Sequence, residues 1–467
     1  MEDWKGRHVV ILGAARQGLA LARWLVRHGA RVTVSDLRSL AELAPARAAL
    51  EGIAVEWSPG GHPLDLLEGT DLLCLSGGVP TGLPIVAAAM QRGIPLSNDT
   101  QVFMDAVPCR TIGITGSAGK TTTTTLVGQM ATGAYADDGP SSKVHGQVFV
   151  GGNLGDPLIN HVDEMNSSDL AILEISSFQL EQMTLSPNVA AVLNVTPNHL
   201  DRHGSMSAYA AAKARILEFQ TASDAAVLGR DDPGAWELRS RVKGHLHTFG
   251  FSPMAEDAEG SYYHEGLLYL YDHGVDIPLL RRDHLHLRGD HNVMNVLAAF
   301  AIGHAAGLPL DAMLAAAEQF RGVPHRLELV RELHGVRWYD DSIATAPERS
   351  MASVRAFEES VVLLLGGRDK DLSWEDLANL IRQRVDHVVL FGEAAGKIEQ
   401  ALARPASGGR PYSISRAAGL EEAVRMAARV AEPGDVVLLA PGGTSFDEFS
   451  DFEERGEKFR SWVQALS

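Results

Sequence analysis

Short, unbroken apolar runs recur along the chain and are separated by longer amphipathic stretches. The clearest runs are His8–Leu12, Arg31–Ser35, Leu72–Ser76, Thr111–Thr115, Leu170–Leu173, Ala190–Val195, Val361–Leu365, His387–Phe391 and Val436–Leu439. Runs this short and this apolar predict strands buried on both faces, the signature of parallel sheets. The stretches between them, such as Leu19–His28, Met206–Phe219 and Val296–Ala306, carry helical spacing. Strands alternating with helices predict an α/β protein of doubly wound domains. Residues 132–148 collect Gly, Asp, Pro and Ser and read as a loop, and Gly322-Val323-Pro324 reads as a linker.

The strand at Thr111–Thr115 runs into Gly116-Ser117-Ala118-Gly119-Lys120-Thr121-Thr122 and then into a helical stretch. Strand, glycine loop and helix form a phosphate cradle: backbone N–H groups turn inward on an anion, and the helix N-terminus adds partial positive charge. Lys120 is placed to reach outer phosphates, and the Thr121 hydroxyl to ligate Mg²⁺. The glycines fall at 113, 116 and 119, with Ile114 where the strict pattern has a further glycine.

Other strands also end in polar residues. The first is followed by Gly13-Ala14-Ala15-Arg16-Gln17-Gly18, and the second ends at Asp36, a Rossmann-like βαβ opening with a degraded glycine fingerprint. Ser76 and Gly77 follow the next strand. Later strands lead into Glu174, into His199, into Asp340-Asp341, into Lys370 and into Ser445. Ligands of open α/β sheets bind at such carboxyl ends. Asn292 and Asn295 are spaced to share one helix face. On spacing alone, Glu174 is either a metal ligand or a solvated loop acid, His199 is a hydrogen-bonded structural histidine, and Lys213 is a surface lysine.

The chain has 467 residues, enough for about three domains. We delimit them as 1–108, Rossmann-like; 109–322, carrying the phosphate loop; and 323–467, again Rossmann-like. With 41 Lys plus Arg against 59 Asp plus Glu, the net charge is −18, which argues against nucleic acid or an anionic membrane as a partner. The two cysteines, Cys74 and Cys109, lack metal-ligand spacing and fit reduced thiols in the cytoplasm. No signal segment or membrane-spanning run is read in the sequence.

Several motifs stand in a fixed order: Gly113-Ile114-Thr115-Gly116 with Gly119-Lys120-Thr121, Gly151-Gly152-Asn153, Glu174-Ile175-Ser176-Ser177-Phe178-Gln179-Leu180-Glu181, Asn198-His199-Leu200-Asp201-Arg202-His203, Lys213, His291-Asn292 with Asn295, and His325-Arg326. Together they resemble the Mur ligase superfamily over nearly the whole chain. Glu174–Glu181 and the run from Ser445 to Gly456 resemble the branch that adds D-glutamate to UDP-N-acetylmuramoyl-L-alanine, an ATP-dependent step of peptidoglycan precursor synthesis. The resemblance implies a cytoplasmic monomer whose domains close on their substrates. It assigns Asp36, Arg38, Ser76, Gly77, Asn153, Ser176 and Gln179 to the UDP substrate. Gly116, Ser117, Gly119, Lys120, Thr121, Thr122, Asn292, Asn295, Arg326 and Asp341 go to ATP. Thr121, Glu174, His199 and a carbamylated Lys213 go to Mg²⁺, with Lys120, His199 and Lys213 catalytic. Thr345, Lys370, Ser445 and Phe452 go to D-glutamate. Three positions depart from the superfamily pattern: Ala118 replaces an Asn, the Gly13–Gly18 spacing is altered, and Ile343 replaces a Lys.

Three other readings compete. Folylpolyglutamate synthase, of the same superfamily, adds glutamate but lacks the UDP-binding first domain. A non-ligase ATPase that uses hydrolysis for movement would need no acceptor amino acid. A dehydrogenase would rest on the Gly13 region alone.

Overall fold

The computed structural model describes residues 3–136, 146–153, 155–197, 200–252, 254, 259–402 and 410–467. Two compact units result. Residues 1–285 with 290–320 form one, and residues 286–289 with 321–467 form the other.

The first unit contains two sheets. β1 (His8–Leu12), β2 (Arg31–Asp36), β3 (Val55–Pro59), β4 (Leu72–Leu75) and β5 (Leu96–Ser97) form a parallel sheet in the order β3-β2-β1-β4-β5. The order reverses between β1 and β4, the switch point where ligands of such sheets bind. The second sheet contains β6 (Arg110–Thr115), β7 (Val148–Gly152), β8 (Leu170–Glu174), β9 (Val189–Val192), β10 (Ala225–Gly229), β11 (His245–Gly250), β12 (Glu259–His264), β13 (Leu267–Asp272) and β14 (Val275–Arg281). Its order is β14-β13-β12-β11-β10-β9-β6-β8-β7. From β7 to β12 every neighbour is parallel; β12, β13 and β14 pair antiparallel.

The α/β class therefore holds, with one addition and one correction. The antiparallel β12–β14 ribbon is not legible as a doubly wound element. Its two turns have positive φ at both central residues, Glu265-Gly266 and His273-Gly274, as two-residue hairpins of the primed type require. The stretch read as a loop from residue 132 begins later, because the helix after the phosphate loop runs Lys120–Tyr135.

One continuous apolar core joins the two sheets of this unit. It runs from Trp4, Trp24 and Phe103 to Leu158, Ile159 and Leu173. Trp24 Nε1 donates to Asp163 Oδ1 at 3.0 Å, and Asn98 Nδ2 donates to the Gln179 carbonyl at 2.8 Å. Cys74 is buried in this core, where burial pushes its thiol well above the ordinary range; Cys109 is pushed up to about 11 by burial and the charge of Asp169. Both are inert as nucleophiles at neutral pH.

The second unit holds β15 (Glu328–Leu333), β16 (Val336–Asp340), β17 (Val361–Gly366), β18 (Val385–Phe391), β19 (Ser413–Arg416) and β20 (Val436–Gly442), ordered β15-β16-β20-β17-β18-β19. All pairs are parallel except the β15–β16 edge. Its core surrounds a fully buried Arg455, whose guanidinium donates to Ser342 Oγ (2.9 Å), the Ser342 carbonyl (2.8 Å) and the Gly443 carbonyl (3.1 Å). A buried charge is tolerated when its donors are satisfied. These bonds tie together the loops that leave β16 and β20. Among the described residues no helix is long and apolar enough to cross a membrane.

Candidate active site

The parallel register assembles the first half of the site. Ile114 on β6 is level with Glu174 on β8, Glu174 is level with Gly152 on β7, and Thr115 is level with Val192 on β9. The residues that leave these four strands, Asn153, Glu174, Gly116 and Asn194, therefore share one carboxyl edge. This also accounts for Ile114: it lies in a fully buried strand interior, where a side chain packs and a glycine is not needed.

The phosphate loop follows β6. Gly119 has φ +84°, and a Cβ there would lie 2.2 Å from Asn295 Oδ1, so glycine is required both by the turn and by the close packing. Thr121 and the buried Thr122 lie in the first turn of the helix that begins at Lys120. Ser117 Oγ donates to the Thr196 carbonyl at 2.9 Å and lies 3.0 Å from Tyr209 OH. Asn194 braces the loop at Ala118: Ala118 N–H donates to Asn194 Oδ1 at 2.8 Å, and Asn194 Nδ2 donates to the Ala118 carbonyl at 3.1 Å. Asn292 and Asn295 share one face of the helix Asp290–Ala305, with Asn295 Nδ2 donating to Asn292 Oδ1 at 3.1 Å.

Two lysines converge on one carbonyl. Lys120 Nζ donates to the Gly116 oxygen at 2.8 Å, and Lys213 Nζ donates to the same oxygen at 2.9 Å and to Thr115 Oγ1 at 3.3 Å. Lys213 is 1% exposed and lies over the Tyr209 ring at 4.7 Å, so it is not a surface lysine. Burial, and next the positive charge of Lys120, push its pKa down to about 6.

Glu174 is 3% exposed. Its Oε1 accepts from Asn153 Nδ2 at 3.0 Å, while its Oε2 is buried with no hydrogen-bond partner. An orphaned carboxylate oxygen beside a phosphate loop fits a hard cation. His199 lies outside the described residues.

A cleft opens beside this edge, lined by Ser76, Gly77, Thr81, Phe178, Gln179 and Arg202 among others. Arg202 is a cleft residue that spacing did not single out. Its guanidinium lies 4.4 Å from the Phe178 ring centroid and donates to the carbonyls of Gly78 and Val79, both at 3.2 Å. Ser176 and Gln179 form a capping box on the short helix Ser177–Leu180, and Gln179 Nε2 donates to Thr100 Oγ1 at 2.7 Å. Ser76 Oγ donates to the Gly13 carbonyl at 2.9 Å. A Cβ on Gly18 would lie 2.2 Å from that carbonyl, so the altered glycine spacing still gives a tight turn. Asp36 accepts from Arg38 Nε (2.9 Å) and from Ala14 N–H (2.7 Å), and the Arg38 hydrogen bonds hold its carboxyl well below the usual carboxylate range.

In the second unit the loops after β16, β20 and β17, three adjacent strands, carry Asp341 and Thr345, Ser445, and Lys370. Arg368 and Thr444 bridge two of these loops through paired backbone hydrogen bonds of 2.8 and 2.9 Å. Lys370 is exposed. Its pKa is lowered by partial burial and then by Arg349 and Arg455, a crowding of cations suited to an anionic ligand. Arg349 is a second residue that spacing missed. Phe452 opens the last helix, and its carbonyl accepts from Ser342 Oγ at 2.8 Å. Asp341 accepts from Ser353 Oγ and from Leu327 N–H, and burial pushes it up to about 6. Arg326 lies in the segment leading into β15. Ile343 puts an apolar side chain where the superfamily pattern has a lysine, and its N–H donates to the His325 carbonyl at 3.2 Å.

Three family models match in sequence order: the Mur ligase MurD-like N-terminal domain over residues 7–98, the Mur ligase middle domain over 114–303, and the Mur ligase glutamate ligase domain over 325–443. The chain belongs to the Mur ligase family. Within it, the chain is 41% identical over 461 residues to a UDP-N-acetylmuramoylalanine–D-glutamate ligase of Symbiobacterium thermophilum, covering 98% of both chains. It is 40% identical to the Acidobacterium capsulatum enzyme of the same name, covering 99% of this chain and 97% of that one. Among solved structures, MurC of Thermotoga maritima aligns with TM-score 0.55 at 20% identity over 98% of this chain and 99% of that one. A MurF ligase of T. maritima in complex with ADP aligns with TM-score 0.53 at 17% identity over the full length of both. These two share the fold.

The depressed Lys213 makes a signed prediction. Its ordinary pKa is 10.5 and its folded value about 6, so between these limits the unfolded chain binds a proton here that the folded chain does not. Stability contributed through this residue therefore rises with pH across that window, by up to about 1.4 kcal/mol per pH unit. In carbon dioxide-free buffer, urea titrations at pH 7, 8 and 9 should show wild type gaining on Lys213→Met at about that slope. Parallel stability–pH curves would mean that Lys213 stays charged when folded.

Proposed function

We propose that this protein joins D-glutamate to UDP-N-acetylmuramoyl-L-alanine, coupled to the breakdown of ATP, in peptidoglycan precursor synthesis. The observation that carries the reading is the shared carboxyl edge of β7, β8, β6 and β9, where a phosphate loop, two lysines and an orphaned carboxylate oxygen meet. Full-length relatives at about 40% identity bear that enzyme's name. The MurD-like match over residues 7–98 supports this reading over folylpolyglutamate synthase.

The division of labour follows the chain. Residues 1–108 hold the UDP substrate, 109–322 the nucleotide, and 323–467 the incoming amino acid. A carboxylate is a poor acyl donor, so it is first phosphorylated. The amine of D-glutamate then attacks the acyl carbon, and phosphate leaves from the tetrahedral intermediate. Each step gathers negative charge, and Lys120 at the helix N-terminus stabilises it electrostatically. The loop amides, Ser117, Thr122, Asn292 and Asn295 orient the nucleotide, and the family resemblance assigns Arg326 and Asp341 to it as well. Thr121, Glu174 and His199 would hold Mg²⁺, which supplies charge neutralisation at the phosphates. Asn153 fixes Glu174 with its free oxygen available. Ser76, Gly77, Ser176, Gln179, Asp36 and Arg38 shape the UDP side. Lys370, Ser445, Thr345 and Phe452 receive D-glutamate, with Lys370 placed for a carboxylate.

A coupled phosphate-release assay tests this. Turnover should need both UDP-N-acetylmuramoyl-L-alanine and D-glutamate, and Lys370→Ala should raise the KM for D-glutamate about 30- to 150-fold with little change for ATP. Turnover with a folate and L-glutamate instead would overturn the assignment.

Lys213 acts as its carbamate in this proposal. A buried amine with a lowered pKa is neutral at physiological pH, the form that adds carbon dioxide, and the product is an anion with hard oxygen ligands. Lys213→Ala should be inactive and partly rescued by acetate, which fills the vacated space with a carboxylate. A fully active Lys213→Ala enzyme would remove the carbamate from the mechanism.

A further inference from the structure

Away from the nucleotide edge, His247, Glu259 and His304 converge where β11, β12 and β13 meet the C-terminal end of the helix Asp290–Ala305, with Asp272 beside His304. His247 on β11 is level with Glu259 on β12, and Asp272 closes β13. His304 lies in the last turn of the helix. Measured from His247 Nδ1, Glu259 Oε2 is 3.7 Å away; measured from His304 Nε2, the same oxygen is 4.0 Å away and Asp272 Oδ1 is 3.4 Å away. The two imidazole rings are 5.6 Å apart and nearly perpendicular, at 79°.

His247 is the second observation. It is 6% exposed, and its Nδ1 has no hydrogen-bond partner although it faces this cluster. A buried ring nitrogen left unpaired is uncommon and calls for an ion or a water. The spacings separate these alternatives from a simple hydrogen-bonded network. Donor atoms bound tetrahedrally to one zinc ion at about 2.0–2.1 Å lie about 3.3 Å from one another. The gaps of 3.7 and 4.0 Å from Glu259 Oε2 to the two imidazoles lie within reach of that spacing and are too long for direct hydrogen bonds.

We propose that His247, His304 and Glu259 form a binding site for a divalent transition-metal cation of the zinc class, separate from the nucleotide site, with water completing the shell. Two imidazoles with one carboxylate favour zinc-like ions over magnesium, which prefers oxygen ligands alone. Asp272, hydrogen-bonded by His273, lies 3.4 Å from His304 Nε2 at the edge of the cluster and adds negative charge beside it. The site lies nine residues along the helix from Asn295, about 14 Å at 1.5 Å per residue. A bound ion would pin that end of the helix to the β11–β13 ribbon, while the other end packs against Gly119 of the phosphate loop. The role is a structural clamp on the helix that carries Asn292 and Asn295.

The test is equilibrium dialysis of the full chain against Zn²⁺ with excess Mg²⁺ present, together with thermal unfolding. Wild type should bind one Zn²⁺ that raises its Tm. Glu259→Gln and His304→Gln, both at partly exposed positions, should each weaken binding at least about tenfold, and the double variant should lose both binding and the Tm shift. Glu174→Gln should retain both. Absence of Zn²⁺ binding would show that water or protonated histidine satisfies the cluster and would overturn the proposal. So would binding that survives the double variant, or binding that is lost in Glu174→Gln.

Discussion

The site depends on one constraint, the parallel register of β7, β8, β6 and β9. Parallel strands all leave a sheet at the same edge, so chain segments far apart in sequence present their next residues side by side. A one-residue slip of β8 against β6 would turn Glu174 to the other face of the sheet and remove its carboxylate from the phosphate loop. The register is held because β6, β8 and β9 are buried and apolar on both faces, with the half-buried edge strand β7 paired along β8. The core that stabilises the unit thus also fixes the geometry of the chemistry.

Charge is the second organising term. The protein carries a net −18, yet the edge gathers Lys120, Lys213 and the positive end of a helix around one carbonyl oxygen. Burying two amines together is unfavourable for the ionised pair, and Lys213 yields, its pKa dropping to about 6. A neutral amine and a cationic one are thereby held at the end of β6, the strand paired with the one that carries Glu174. The second unit solves the same problem differently. Arg455 is buried but donates to the Ser342 hydroxyl and to the carbonyls of Ser342 and Gly443, so its charge is retained and it contributes, with Arg349, to the positive surroundings of Lys370.

Much of this was legible in the sequence because buried parallel strands are unbroken apolar runs and because a glycine-rich loop followed by Gly-Lys-Thr has few other uses. The strands at Thr111, Leu170, Val361 and Val436 stand within a residue or a few of their predicted bounds. The β12–β14 ribbon escaped because its strands mix Tyr, His and acids without clean alternation, and its turn signals are single Glu-Gly and His-Gly pairs. Asn194 escaped because nothing local distinguishes a loop-bracing asparagine. Arg202 was part of a motif, but its place against Phe178 and the Gly78 carbonyl follows from packing between two sheets. The histidine–carboxylate cluster has no ligand spacing at all; three strands and a helix bring it together. Ser176 and Gln179 show the converse: a motif that reads as substrate binding also builds a capping box, so its residues hold the cleft's shape as well as lining it.

The central claim is that the phosphate loop serves to activate a carboxylate by phosphorylation. It is tested most directly by oxygen transfer. UDP-N-acetylmuramoyl-L-alanine labelled with ¹⁸O in the alanyl carboxylate should be turned over with ATP and D-glutamate, and the released phosphate analysed by mass spectrometry. An acyl phosphate places one carboxylate oxygen between carbon and phosphorus, so one ¹⁸O per turnover should appear in the phosphate. Unlabelled phosphate formed at the rate of product would contradict the account.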